Sequence, residues 1–453
     1  MTSMNTEQIR NMSLSELINM GPFECECGKT HSVGTRRCII ESGAIRKLPA
    51  LLAECGSKKP FILSGHDTFA AAGEKVTGVL KESGIPYSSY VFLKSPVTPT
   101  EHSVGSAVMH FDYSCDAVIG IGSGVINDIG KILAHATGRT YMIVGTAPSM
   151  DGFASATSSM ERDGLKVSLD STFAWAIVGD TDILREVPMH MLRAGVGDML
   201  AKYISLTEWR IASILVGEYY CPVVAALVEN ALNRVVAAAP GLMKRDEEAV
   251  KAVMEGMVIA GMAMKYAGLS RPASGMEHYF SHIWDMRSLA FEGAKADLHG
   301  IQCGIGTLLS LKVYDYIRTV KPDREKALAY VQAFNPEEWN EKLVKFIGHG
   351  AYAMVEGEKR EGKYDPEKHA KRLEVIIEKW DEIMAVVDKL PKYEEVYNMM
   401  TAMGAPTDPG YLGYSEDAIR TTFTMTKDIR DKYIASRLLW DVGELENAEA
   451  NLL

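Results

Sequence analysis

One acid and two histidines in the middle of the chain have the types and contexts of metal ligands. Asp198 lies in Ala-Gly-Val-Gly-Asp-Met-Leu-Ala-Lys, His278 in Ser-Gly-Met-Glu-His-Tyr-Phe-Ser-His, and His299 in Asp-Leu-His-Gly-Ile-Gln-Cys-Gly. One carboxylate with two imidazoles suits a divalent transition metal that keeps a position open for substrate. His278 and His282 are four apart on an expected helix and so share a face; Glu277 is expected to point elsewhere. Three of the eleven histidines fall between His278 and His299. The spacing is not H-E-x-x-H, which disfavours a zincin-type protease. A structural histidine competes with the ligand reading at each imidazole. For Asp198, in a Gly-Asp loop at an expected helix start, the competitor is an N-cap; capping and ligation are compatible.

Upstream, Gly120-Ile-Gly-Ser-Gly-Val-Ile-Asn-Asp-Ile-Gly-Lys131 follows an apolar run and opens a helical pattern. Such a turn lets backbone approach a pyrophosphate and presents helix N–H groups to it. Val125 stands where the Rossmann fingerprint has its third glycine, so a tight structural turn competes. Asp128 and Lys131, one and two helical turns on, are placed to meet nicotinamide, ribose or substrate; a solvent-facing pair is the alternative. The next run ends in Gly145-Thr-Ala-Pro-Ser-Met-Asp-Gly-Phe-Ala-Ser155. Its Thr146, Ser149, Asp151 and Ser155 lie beyond the C-terminal end of an expected strand, where ligands of open α/β sheets gather. A third cluster, Cys25-Glu-Cys27-Gly-Lys-Thr-His31, has donors for zinc, with Cys38 the nearest fourth thiol in sequence; a β-turn with thiols is the default reading there.

These groups need elements to hold them. Up to about residue 187, short apolar runs alternate with helical patterns: strands are expected at Pro60-Phe-Ile-Leu-Ser-Gly, Tyr90-Val-Phe-Leu, Asp116-Ala-Val-Ile-Gly-Ile, Tyr141-Met-Ile-Val-Gly and Phe173-Ala-Trp-Ala-Ile-Val-Gly-Asp. A helix is expected over 125–136 and a hairpin through Arg162-Asp-Gly. Buried strands alternating with helices predict a parallel sheet covered on both faces. From about Pro188, helical spacing takes over, with helices expected at 200–215, 223–239, 247–266, 308–319, 336–354 and 370–389, and a charge-rich stretch at 358–371 read as a solvated loop and helix start. The reading is an α/β N-terminal dinucleotide-binding domain with a parallel sheet, 1–187, and an all-α C-terminal metal- and substrate-binding domain, 188–453.

The bulk properties fit. The 453 residues suffice for two or three domains. Hydrophobic residues make up 47% and charged residues 24%, with mean hydropathy −0.04, the profile of an ordinary globular protein. A net charge of −11 argues against nucleic acid or an anionic membrane as main partner, though not against an anionic metabolite. No uninterrupted apolar run approaches the ~20 residues of a membrane span, and the first 19 residues lack a signal-peptide core. Seven sparse cysteines, with Cys55, Cys115, Cys221 and Cys303 in apolar or helical contexts, read as buried thiols in a reducing cytoplasm.

Taken together, the motifs resemble those of the AraM-type sn-glycerol-1-phosphate dehydrogenases. These belong to the superfamily of glycerol dehydrogenase, iron-containing alcohol dehydrogenases and dehydroquinate synthase. The resemblance rests on the turn through Asp128, on Thr146-Ala-Pro-Ser-Met-Asp-Gly152, Gly197-Asp198 and Leu298-His-Gly300. It rests above all on Ser270-Arg-Pro-Ala-Ser-Gly-Met-Glu-His278-Tyr-Phe-Ser-His282, a pattern glycerol dehydrogenases lack, and it extends from Cys25 to Ile429-Arg-Asp-Lys-Tyr433. It implies a dehydroquinate synthase-like fold and Zn²⁺ or Ni²⁺ on Asp198, His278 and His299. Asp151, Asp198 and His282 would contact substrate, with His278 completing the catalytic set. NAD(P) would lie against Asp67, Gly124, Val125, Ile126, Asn127, Asp128, Thr146, Ala147, Pro148, Ser149 and Ser155. The implied reaction is reversible reduction of dihydroxyacetone phosphate to sn-glycerol 1-phosphate by a homodimer. Arg271, Lys202 and Lys131 are the candidate phosphate partners. A polyol dehydrogenase acting without phosphate, a dehydroquinate-synthase-like cyclase that recycles NAD⁺, and a non-catalytic binder are the rivals.

Overall fold

The computed structural model describes the whole chain except Met1, Thr2, Asp163, Gly164, Glu292 and Lys295. It comprises two compact units: Met1–Met199 with Pro222–Leu269, and Leu200–Cys221 with Ser270–Leu453.

The first unit is built on six parallel strands: β4 (Arg37–Glu41), β5 (Pro60–Gly65), β6 (Ser88–Phe92), β7 (Ala117–Gly122), β8 (Thr140–Gly145) and β11 (Ala176–Asp180), in the order β4-β11-β8-β7-β5-β6. The inner strands are apolar on both faces because both are covered. Ile62, Ile119, Ile121, Met142, Val144 and Val178 pack in one core with Leu48, Leu51 and Leu52 of the helix Leu48–Cys55 and Val76 and Leu80 of Glu74–Glu82. The five expected strands are present. β4 is added at an edge, where its Arg-Cys-Ile-Ile-Glu is mostly half-buried and shows no long apolar run.

The order reverses at one place. From β5 the chain moves outward to β6, whereas from β7 it moves the other way to β8 and β11. Ligands of open parallel sheets bind beyond the strand C-termini at such a switch, here between β5 and β7. A small sheet of β1 (Ser3–Met4), β2 (Phe23–Cys25) and β3 (Thr30–His31) precedes the main one, and an antiparallel hairpin, β9 (Thr157–Arg162) with β10 (Leu165–Asp170), follows β8. The strands of the expected hairpin pair as anticipated; its turn residues Asp163 and Gly164 lie outside the described residues.

The same unit contains the helices Pro222–Leu242 and Glu247–Ala267, packed side by side and joined by an Arg234–Glu255 ion pair of 2.6 Å. Pro222–Leu242 is long and apolar enough on average to meet the length and composition of a membrane crossing, although Glu229 and Arg234 interrupt it. A little over half of its most apolar stretch is buried.

In the second unit every described regular element is helical. Lys202–Val216, Met276–Ala290 and His299–Ile317 form its centre; the last begins nine residues before the expected start. The helix expected over 336–354 is two, Pro336–Ile347 and Ala351–Glu361. The chain breaks at Gly348, whose φ of +84° favours glycine. The stretch expected to be solvated holds the end of Ala351–Glu361 and the start of Pro366–Glu378, which Asp365 caps by accepting from the Glu367 and Lys368 N–H groups. Its charges line helix faces whose apolar stripe the run of Glu and Lys had masked.

Candidate active site

β7 ends at Gly122, and the helix Gly124–Thr137 starts two residues later. A Cβ at Gly122 would lie 2.5 Å from that of Ile126, so only glycine permits so abrupt a turn. The helix start has no side-chain cap: the Ser123 hydroxyl bonds instead to the Ala147 carbonyl (3.1 Å) and Ser149 Oγ (2.7 Å). Asn127 N–H is the first to bond within the helix, to Ser123 O at 2.9 Å. The N–H groups of Gly124, Val125 and Ile126 therefore have no partner inside the helix, and the dipole adds positive potential there. Thr146 N–H bonds to Gly122 O at 3.0 Å, fastening the β8 loop beside the turn. Asp67, just past β5 on the other side of the switch point, is exposed. Its carboxylate receives the Ser95 hydroxyl (2.5 Å) and lies 3.2 Å from His66 Nδ1; both contacts hold its carboxyl below the usual range.

The loop after β8 is fixed from several sides. Lys131, fully buried, donates to Gly152 O (3.3 Å), Ser155 Oγ (3.2 Å) and Thr157 O (2.5 Å) and pairs with Asp128 at 3.0 Å. Burial raises the Asp128 carboxyl against the opposing charge of Lys131. Asn127 Nδ2 donates to Gly152 O (3.1 Å), and its Oδ1 accepts from Tyr141. Two glycines let helices press on this loop: Gly195 of Met189–Leu200 against the Pro148 carbonyl, and Gly261 of Glu247–Ala267, where a Cβ would meet Asp151 O at 2.8 Å. Asp198, one turn beyond Gly195 and fully buried, receives the Asp151 N–H at 3.1 Å. It sits in the last turn of Met189–Leu200, not at a helix start: the glycines that suggested a loop serve close packing inside the helix.

In the second unit, His278 and His282 lie one turn apart on Met276–Ala290, and His299 opens His299–Ile317. The helices touch closely: a Cβ at Gly306 would stand 2.5 Å from the Glu277 carbonyl. Ring centroids of His278 and His299 are 4.9 Å apart, and His282 is 6.4 Å from each. His278 Nδ1 is 2.8 Å from Glu277 Oε1, which also receives the Gly275 N–H at 2.7 Å; a proton on Nδ1 turns Nε2 toward ligation. Burial, then the charges of its histidine and lysine neighbours, pushes His278 well below the ordinary histidine range and keeps it neutral. His299 Nδ1 is 3.1 Å from Ser281 Oγ, which also receives the Gln302 amide; that amide is anchored on Asp285 (2.8 Å). Cys303, a turn after His299, has its Sγ 3.5 Å from His299 Nε2. Imidazoles with their second nitrogens fixed, beside a thiol, form a donor set that fits a divalent transition ion.

Known proteins share the chain's sequence and fold. The model for iron-containing alcohol dehydrogenases matches residues 39–188. A glycerol-1-phosphate dehydrogenase [NAD(P)+] from Halalkalibacterium halodurans is 32% identical over 295 residues, 64% of this chain and 74% of its own length. One from Methanothrix thermoacetophila is 33% identical, covering 62% and 77%, and one from Bacillus licheniformis is 26% identical over 93% of both chains. The chain belongs to the glycerol-1-phosphate dehydrogenase family. Among solved structures, glycerol dehydrogenase from Schizosaccharomyces pombe (TM-score 0.58, 13% identity, 92% and 90% covered) shares the fold. So does maleylacetate reductase from Rhizobium sp. strain MTP-10005 (0.57, 15%, 93% and 98%).

Within this family member, the first unit assembles Gly124, Val125, Ile126, Thr146, Ala147, Pro148 and Ser149 around one helix start, with Asp67 across the switch point. Asn127, Asp128 and Ser155 belong to the same region, but the side chains of Asn127 and Ser155 are engaged with the loop itself and that of Asp128 with Lys131 and the Ser159 N–H of β9. His278, His282 and His299 cluster in the second unit. Of the cations considered for phosphate, Arg271 is clamped on Glu218 (2.8 and 2.5 Å) and Tyr433 O, and Lys131 is engaged as described. Lys202 Nζ donates to Ala273 O at 3.1 Å, and Lys432, partly exposed, donates to Ser274 O at 2.7 Å. The Ser270–Gly275 segment is thus gripped by buried charges, including Glu208 on Met276 N–H (2.8 Å). Sequence reasoning passed over Glu277 and Cys303. Adjacency hid the first, because neighbours on a helix point about 100° apart and the side chain must curl back. The i, i+4 spacing from His299 was the available signal for the second.

Proposed function

We propose that this chain is a metal-dependent sn-glycerol-1-phosphate dehydrogenase that reversibly reduces dihydroxyacetone phosphate with NAD(P)H. The observation that carries the reading is its similarity to dehydrogenases named for glycerol 1-phosphate, extending in one case over 93% of both chains. The N–H groups of Gly124, Val125 and Ile126 would receive the pyrophosphate, flanked by Thr146, Ala147, Pro148 and Ser149, with Asn127, Asp128 and Ser155 holding that wall in shape. Asp67 would accept hydrogen bonds from adenosine ribose hydroxyls, and its negative charge favours NADH over NADPH.

Asp198, His278 and His299 would hold Zn²⁺ or Ni²⁺, with Glu277 and Ser281 orienting the imidazoles. When bound, the ion supplies Lewis acidity toward the ketone oxygen and the reduced dinucleotide supplies hydride to its carbon. Asp151 and Asp198 would contact the substrate hydroxyls, and His282 would deliver the proton to the C2 oxygen. Lys202 and Lys432 would receive the substrate phosphate: both raise the positive potential at His278, and Lys432 is repelled by Arg271 and Arg430, which a dianion would relieve. The protein is taken to act as a homodimer in the cytoplasm, which light scattering and fractionation would check.

The test is NADH oxidation with dihydroxyacetone phosphate beside dihydroxyacetone, before and after chelation and add-back of Zn²⁺ or Ni²⁺, with chiral analysis of the product. Metal-restored turnover confined to the phosphorylated ketone and yielding the sn-1 product is expected. Turnover only with dihydroxyacetone moves the chain to the polyol dehydrogenases, and none with either, despite bound metal and NAD⁺, moves it to the cyclases.

A further inference from the structure

We infer that the hairpin of β2 and β3 is a second metal site, binding zinc through Cys25, Cys27 and His31. The three hairpin residues place their ligand atoms within 4.8 Å of one another, and all seven cysteines of the chain are outside disulfides. Cys25 ends β2 and His31 ends β3. Between them the chain turns tightly: Gly28 N–H bonds to Cys25 O (2.9 Å), Cys25 N–H to Lys29 O (3.0 Å), and Gly28 has φ +83°. This turn carries Cys27 back over the hairpin, so donors at 25, 27 and 31 converge although the strands alternate.

His31 carries the argument furthest. It is 1% exposed, and its Nδ1 lies 2.8 Å from the Tyr266 carbonyl at the end of the helix Glu247–Ala267. A carbonyl only accepts, so Nδ1 bears the proton and the Nε2 lone pair is directed the other way, toward Cys27 Sγ at 3.4 Å. Imidazole with one nitrogen tied to a backbone carbonyl is how proteins orient a ligating histidine. The 3.4 Å separation is also close to the edge of a zinc tetrahedron, about 3.5 Å for one sulfur and one nitrogen ligand at ordinary bond lengths. Phe23 and Tyr266 pack at a tilt about the imidazole, 5.3 and 5.6 Å from its centroid, and keep water from it. Thiolate-rich donors on a hairpin of five strand residues, too small for a core of its own, mark a structural site: the ion would hold the hairpin together, with His31 tied to Tyr266 of the helix Glu247–Ala267.

This site is independent of the dehydrogenase reading, and metal counting separates them. Metal per chain is measured by mass spectrometry after expression with zinc, for the native chain, for H278A/H299A/C303A, which lacks the histidine-site donors, and for that variant with C25S/C27S added. The expected result is one zinc retained in H278A/H299A/C303A and lost when C25S/C27S is added. Cobalt substituted into H278A/H299A/C303A should show thiolate-to-metal charge-transfer absorption. Should C25S/C27S fail to fold, the cobalt spectrum decides, since the hairpin is intact there. Metal-free H278A/H299A/C303A, or cobalt bound without thiolate absorption, would overturn the inference while leaving the dehydrogenase assignment standing.

Discussion

Gly306→Ala tests whether the helix pair Met276–Ala290 and His299–Ile317 sets the histidine geometry. A Cβ at 306 would sit 2.5 Å from the Glu277 carbonyl oxygen and 3.2 Å from its carbon, both backbone atoms that cannot rotate away. Ordinary contact begins at 3.4 Å, so the helices must part by about 0.9 Å. The opening falls next to His278 and one to two turns from His299. Alanine gains ~1 kcal/mol of helix propensity over glycine, while overpacking costs typically 1–3 kcal/mol, so the net stability loss should be no more than about 2 kcal/mol. Function should suffer more: a misplacement near 1 Å costs on the order of 10²-fold in rate. The assay is kcat/KM with metal content and thermal midpoint. Gly78→Ala on Glu74–Glu82 is the control; its Cβ meets nothing within 4 Å and should stabilise by roughly 0.5–1 kcal/mol. A Gly306→Ala protein with native metal content, turnover and melting would refute the claim that this contact positions the site.

Replacing Asp67 by Ser should raise kcat/KM with NADPH relative to NADH, since the exposed carboxylate would repel a 2′-phosphate; an unchanged ratio removes Asp67 from cofactor choice. Lys432→Met should raise KM for dihydroxyacetone phosphate at least tenfold and leave KM for dihydroxyacetone unchanged, and equal effects on both would show a structural lysine. Asp441→Asn tests a buried ion pair. Burial alone would raise that carboxyl, but the charges of Arg372 and Arg437, with hydrogen bonds from Arg372 (2.6 Å to each oxygen) and Tyr433, hold it below 3.8. The stability it confers is therefore present above pH 3.8 and lost as pH falls through the lowered value. The variant should be about 3–5 kcal/mol less stable in urea at pH 7, narrowing toward pH 3; a pH-independent gap would contradict the linkage.

Long periodic elements were legible in the sequence and short or charge-laden ones were not. The four buried strands β5, β7, β8 and β11 announced themselves because a covered parallel strand is a continuous apolar run, and the half-buried edge strand β6 through Tyr90-Val-Phe. β4, at the edge, and the two-residue β3 have too few buried positions for a pattern. Asp198 was found as a candidate ligand but given the wrong local structure, because glycines that break helices in isolation also let a helix approach the Pro148 carbonyl. The histidine cluster could be read from types and spacing. The engagement of Arg271 and Lys131 could not, since their partners Glu218, Tyr433, Gly152 and Thr157 come together only by folding.

The division of the chain into interrupted segments bears on its synthesis. The first compact unit needs residues 222–269, and these follow a segment, Leu200–Cys221, that belongs to the second. At roughly 5–20 residues per second, the ribosome takes about 4–14 s to pass from residue 199 to 269. Throughout that interval the nascent sheet displays the face of Ile143, Gly145, Ile177 and Gly179 without the late helix that brings Met254 to those glycines. The nascent chain is thus exposed to aggregation and to chaperone capture at a defined length, and slowing translation within 222–269 should lower soluble yield more than slowing it after 270.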